Sequence, residues 1–222
     1  MKKIKTAAQV SAVALSIVLA GCTPSTEVAS TSTTQSTPTV RVGASDPGAT
    51  TLYQYIADNK IAEVRFKRGE PGTPKIEFPF PPGWSSAGDR TPEWAYGAIV
   101  YDKPKDPQDP PYIVAIASKL TGDVDPAKIL EYAPGQLNKL PDFTPFHDPR
   151  KDSLSGFAAM DFAGTYVRKG QPRVVGQQTI VVPGKDALFV LQLNADAPKG
   201  EEQPVLDAAK FIADHTKISA PS

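Results

Sequence analysis

The chain has 222 residues and a single cysteine, Cys22. An exported protein either pairs its cysteines or avoids them, and one thiol cannot build a disulfide framework. Histidine is almost as scarce, with only His147 and His215. Neither belongs to a metal-spaced cluster such as HExxH or CxxC, so no metal site is expected. Charge of one sign is also missing: 24 basic side chains face 24 acidic ones. A nucleic-acid partner would want a basic surface, and this balance argues against one. There is no G-x-S-x-G nucleophile elbow and no glycine-rich phosphate loop after a strand, and nothing calls for a cofactor. The chain reads as a non-enzyme. A weak serine hydrolase survives only as a minor alternative, with Ser153 or Ser155 of "DSLSG" served by His147. Asp123 and Asp125 in "TGDVDP" lack the continuation of a calcium loop.

No apolar run is long enough to span a bilayer of roughly 30 Å, which takes about 20 residues. The N-terminal run, from about Ala7 to Leu19, has the length of a signal-peptide core and follows Lys2, Lys3 and Lys5. Next comes Leu19-Ala20-Gly21-Cys22, which resembles the lipobox of bacterial lipoproteins. Small residues at positions 20 and 21 suit a narrow peptidase cleft, and the Cys22 thiol is available for a diacylglycerol thioether. One acyl chain holds only marginally, at about 0.8 kcal/mol per buried methylene, whereas two or three hold durably. Residues 1–21 therefore read as a lipoprotein signal peptide. Lipid attachment falls on Cys22, at the outer face of the cell membrane.

From 22 to 50 the chain is Ser, Thr, Pro, Gly and Ala with almost no large apolar residue. Such a segment cannot bury enough surface to offset its ordering entropy, so it reads as a flexible tether. A coil of that length spans roughly 30 Å. The folded domain is expected over 51–222. "TLYQYIADN" has helical spacing with Thr50 or Thr51 as N-cap. "KIEFPF" allows only an edge or short strand because of Pro79. "EWAYGAIVYD" and "PPYIVAIASKL" read as a hairpin whose proline-rich connection, "KPKDPQDPP", projects from it. Asp125 and Pro126 start a second helix, with a kink at Pro134-Gly135.

Three strands follow as an antiparallel meander: "GFAAMDFAGTYVRKG", "QPRVVGQQTIVVPG" and "DALFVLQLNADA". In the first, Met160, Phe162 and Tyr166 share a face, while Phe157 has the other parity, which predicts a bulge or a change of face. A last helix, "EQPVLDAAKFIADHT", carries an apolar stripe of Val205, Leu206, Ala209 and Ile212. The order predicts an α/β (α+β) domain, a mostly antiparallel sheet flanked by helices. Trp84, Trp94, Tyr96, Tyr101 and Tyr112 crowd around the proline-rich hairpin, where rings with polar tips suit a sugar or lipid site. They are the candidate ligand-binding residues.

The block "YGAIVYDKPKDPQDPPYIVAIASKLTGDVDPAKILEYAPGQLNKLPDF" and the later "VVGQQTIVVPGKDALFVLQLNADA" resemble the LpqN-type lipoproteins of mycobacteria. So does the order of lipobox, Ser/Thr tether and "YQYIADNKI". The resemblance implies a PsbP-like α/β/α sandwich without catalytic residues, in the mycolate-rich cell envelope. It also implies binding of trehalose glycolipids beside an RND-type lipid exporter. An envelope protein–protein adaptor, with the proline-rich loop as its contact, is the alternative. Of single positions the resemblance carries over only Cys22.

Overall fold

The computed structural model describes residues 50–221. The leader, Cys22 and all of the tether before Thr50 lie outside them. The domain opens with α1 (Leu52–Asp58), capped by Thr51, whose Oγ1 accepts from the Gln54 amide at 3.0 Å. Three short strands follow: β1 (Ala62–Arg65), β2 (Lys75–Glu77) and β3 (Trp84–Ser86). The expected hairpin is β4 (Gly97–Tyr101) with β5 (Tyr112–Thr121). Asp125 caps α2 (Pro126–Tyr132) by accepting from the Ala127 amide at 2.8 Å. At Pro134-Gly135 the helix tightens into a 3-10 segment over Ala133–Lys139, because Pro134 cannot donate into an α-helical ladder.

Then come β6 (Thr144–Pro145), β7 (Arg150–Leu154), β8 (Phe157–Arg168), β9 (Gln171–Pro183) and β10 (Leu188–Pro198). The chain ends in α3 (Glu202–His215) and β11 (Lys217–Ser219). The meander is held by turns with positive φ at two successive residues, Lys169-Gly170 and Ser155-Gly156. That turn geometry matches the twist of the strands it joins.

The main sheet runs β3-β4-β5-β10-β9-β8-β6, with β1 sharing the free edge of β5 and β7 that of β8. Every described pairing in it is antiparallel. Helices cover both faces, which gives the α/β/α sandwich. On one face, Leu52 of α1 and Ile129 of α2 pack on Leu120, Val181, Leu188 and Val190. Beside them Leu137 closes over Phe162, Tyr166 and Val175. On the other face, Val205, Ala208 and Ile212 of α3 meet Trp84, Ile113 and Ala197. A separate ribbon of β2 with β11 adds Ile76 and Ile218 to a core around Phe66, Ile180, Phe189 and Leu191. At Gly135 a Cβ would stand 2.3 Å from the Thr50 carbonyl oxygen, so only glycine lets the entering chain pass there.

Two local expectations change. The register of β8 with β7 and with β9 is continuous, so there is no bulge at Phe157. Phe157 simply packs into the core of the opposite face, because this sheet buries both its faces. The apolar stripe of α3 is Val205, Ala208 and Ile212, whereas Leu206 is 57% exposed. Among the described residues no helix is long and apolar enough to cross a membrane.

Candidate functional site

On the α3 face of the sheet, the row next to the helix is built from small residues. Gly97 of β4 lies opposite Ala115 of β5, and a Cβ at Gly97 would meet nothing within 4 Å. Large side chains surround this gap without filling it: Ile99, Ile113 and Leu193 on the sheet, Ile212 from α3, and Phe78-Pro79-Phe80 after β2. The result is a cleft of about 180 Å³. An apolar cavity of about 150 Å³ takes a benzene-sized group. This one thus has room for only part of a chain-like molecule, with the remainder outside.

The rim is polar in a particular way. Ser86, Thr91 and Tyr96 bring hydroxyls, and Arg68 brings the only charge among the lining residues. Tyr96 is fixed edge-on between Phe66 (5.9 Å) and Phe78 (6.2 Å), and burial pushes its phenol above the ordinary value. Phe80 stands 58% exposed beside the opening. Another pit, of about 20 Å³ under α1, has room for little more than one water.

Of the five candidate aromatics, the structure brings only Tyr96 to the cleft. Trp84 is buried against Tyr101 at 5.7 Å in the adjoining core, where both pack with Ile99 and Ile113. Trp94 is covered by the Arg65 guanidinium, 5.5 Å from its ring. Tyr112 belongs to the opposite face, where burial and the nearby Asp196 carboxylate raise its phenol above the usual range. Arg68, Phe78, Phe80, Leu193 and Ile212 were not legible as site residues. Their only local signal is the alternation of Phe and Pro in "EFPFPPGW", since the rest is assembled from distant strands.

That opposite face carries a buried ion network. Arg173, 1% exposed, donates through Nε to Asp196 Oδ1 at 2.6 Å, and its two terminal nitrogens reach Asp109 and Asp196. Arg168 donates to Asp109 at 2.7 Å, and the Tyr166 hydroxyl donates to Asp196. Burial opposes the Arg173 charge, but the hydrogen bonds and charges of Asp196 and Asp109 outweigh it and raise its pKa. Burial, followed by the Asp196 contact, pushes the Tyr166 phenol far above its ordinary value.

Asp109 lies in the proline-rich connection, and the network therefore ties that loop down. At its other end the Lys105 amide donates to Glu201 Oε1 at 2.9 Å and Lys105 Nζ to the Gly200 carbonyl at 2.8 Å. The loop does not project. Prolines stiffen it, and ion pairs at Asp109 with hydrogen bonds at Lys105 dock its two ends on the domain.

The hydrolase constellation is not assembled. The Ser155 hydroxyl accepts from the Ile218 amide at 2.9 Å, fastening β11. Ser153 pairs opposite Ala158, whereas Phe146, next to His147, bonds Ala163. The separation is about five residues along β8, roughly 17 Å. A nucleophile and its base need to be about 3 Å apart. His147 Nδ1 meets the Asp148 carbonyl, and His215 stacks on Phe211 at 4.2 Å. Among the described residues no group of three or more His, Cys, Asp or Glu could hold a metal ion.

Among the described residues Asp161 is the one carboxyl held high. Burial first, and then the neighbouring Asp152, push it from 3.8 to about 6. Between these values the folded state binds a proton that the unfolded chain has released. Its contribution to stability is therefore complete below pH 3.8 and is lost as pH rises through 6. Asp161→Asn is expected to flatten the decline in urea-unfolding free energy between pH 4 and 6 and to stabilise the domain at pH 7. An unchanged profile would refute this assignment.

The fold and cleft together define an α/β/α domain with an antiparallel sheet between helices and a partly enclosed apolar site on one face. Residues 48–219 match the family described as "Probable lipoprotein LpqN", and the chain belongs to that family. It is 44% identical to lipoprotein LpqN of Mycobacterium tuberculosis over 96% of its own length and 97% of the relative's. It also superposes on a crystal structure of LpqN, which is described as involved in cell envelope biogenesis of that organism. The TM-score is 0.74 at 46% identity, covering 78% of this chain and 99% of the other. A domain of this extent therefore folds by itself.

Proposed function

We propose that this protein is a non-catalytic lipoprotein of the cell envelope that holds the acyl part of a trehalose-ester glycolipid in the Arg68–Tyr96 cleft. In that role it assists envelope lipid transport or biogenesis beside an RND-type exporter. The observation carrying the reading is the cleft: an apolar floor of Ala115, Leu193 and Ile212 with hydroxyls of Ser86, Thr91 and Tyr96 at the rim. Such a site suits a ligand with an apolar chain and a hydroxylated head. Each methylene that enters contributes about 0.8 kcal/mol. The crystallised relative's link to envelope biogenesis supports the same assignment.

In this reading residues 1–21 are removed, Cys22 carries the lipid and 22–50 space the domain from the membrane. An adaptor role would use the docked loop as a preformed face; no observation favours it over the cleft. The test is calorimetric titration of the domain, residues 50–222, with trehalose monododecanoate below its micellar concentration. Saturable binding at one site with Kd on the order of micromolar, and none of free trehalose, is the expected result. No heat of binding up to high micromolar concentration would overturn the reading. In the full chain, Cys22→Ala is expected to move the protein from the membrane to the soluble fraction, as followed by immunoblot.

A further inference from the structure

We propose that the cleft, besides a neutral glycolipid, takes amphiphiles with an anionic head, a long-chain carboxylate or phosphate monoester, and binds them more tightly, with Arg68 as the residue that reads the charge. This deepens the assignment of the cleft as an acyl-chain site and rests on it. The first observation is the charge inventory of the lining. Arg68 is its only ionisable group of permanent charge, and no Asp or Glu lies among the lining residues.

The second is the state of Arg68 itself. Among the described residues it makes no salt bridge, although Lys75, Lys128, Arg168, Arg173 and Lys210 all do. Its neighbours are occupied elsewhere. Lys67 turns its ammonium onto the carbonyls of Glu93 and Ala95, the latter at 2.6 Å. Arg65 lies over Trp94. Glu70, the nearest acid in sequence, accepts from the Lys67 amide at 2.6 Å.

The third is position. The Arg68 guanidinium sits 5.9 Å from the centre of the Tyr96 ring, which forms the cleft wall. Stacking on an aromatic face steers the planar fork without consuming its N–H donors. A carboxylate or phosphate at the mouth can therefore accept two parallel bonds while its chain lies along Ala115 and Leu193. The apolar floor excludes water from one side of that pair and so strengthens it relative to a pair in open solvent. A neutral sugar head finds the rim hydroxyls but cannot use the charge.

The experiment compares ligands of one chain length on the domain: dodecanoate, dodecyl phosphate and trehalose monododecanoate, each below its micellar concentration. Both anions are expected to bind at least about tenfold more tightly than the neutral ester at low salt, and the advantage should shrink as NaCl is raised. Arg68→Gln, at an exposed position, is expected to remove the advantage, so that neither anion binds more than about twofold more tightly than the neutral ester. Comparison of the two anions separates a carboxylate source from a phosphate source. Equal affinities for all three ligands, or an anion advantage untouched by Arg68→Gln, would overturn the selection while leaving the acyl site in place. Failure of all three to bind would overturn both.

Discussion

Arg173→Met is expected to lower the unfolding free energy by about 3–5 kcal/mol, the cost of removing one partner from a buried ion pair. Asp196 is itself buried, and its carboxylate accepts from two guanidinium nitrogens and from the Tyr166 hydroxyl. Without Arg173 it would stay charged in a site that water does not reach, or take up a proton at a cost. For a domain of this size the loss corresponds to a fall in Tm of roughly 6–20 °C. Urea unfolding should show a lower midpoint with unchanged slope, and hydrogen exchange should rise in the 103–110 loop, since Asp109 loses its buried partner. A loss below about 1 kcal/mol would show that the charges are not worth what their burial implies. Arg173→Met with Asp196→Leu and Tyr166→Phe leaves no orphaned polar group and is expected to recover most of the stability. Buried pairs exchanged for apolar side chains are often neutral.

The network also explains what a reader of the sequence could and could not see. Long elements were legible because their own residues carry the signal. Asp125-Pro126 announces α2, the two-residue turns at Lys169-Gly170 separate β8 from β9, and the alternation in β10 marks a sheet strand. Of the short strands only Lys75–Glu77 in "KIEFPF" was legible, because three residues such as Trp84–Ser86 or Lys217–Ser219 have no period of their own. They are extended only because β4 and β2 offer them a ladder.

The "KPKDPQDPP" loop misled for a related reason. Composition reports stiffness correctly, but its direction is set by Arg168, Arg173 and Glu201, roughly 60 to 95 residues away in the chain. The candidate site fared likewise. Aromatic density near the hairpin led to Tyr96, yet it put Tyr112 with Tyr96, although Tyr96 packs between Phe66 and Phe78 at the cleft and Tyr112 lies on the other face of β5 beside Asp196. Tyr112 pairs with Val100 and Asp196, while Ala115, three residues on, turns into the cleft. With a side-chain period of two, residues an odd number apart on one strand cannot share a site.

That parity sets the sharpest test of where a ligand binds. Ala115→Phe is expected to reduce affinity for trehalose monododecanoate by at least about 100-fold, or roughly 2.7 kcal/mol. The new ring would project from β5 into the gap opposite Gly97, between Leu193 and Ile212, and occupy the volume a chain must enter. Elsewhere in a packed core such an enlargement costs about 1–3 kcal/mol. Here the space is already open, so the thermal midpoint should move little, and the loss of binding can be attributed to the blocked cleft. Tyr112→Phe, on the opposite face beside Asp196, is the matching control and is expected to leave affinity within about twofold. If the two variants exchange behaviour, the ligand lies over the Arg173 network, and the small residues of β4 and β5 serve packing alone.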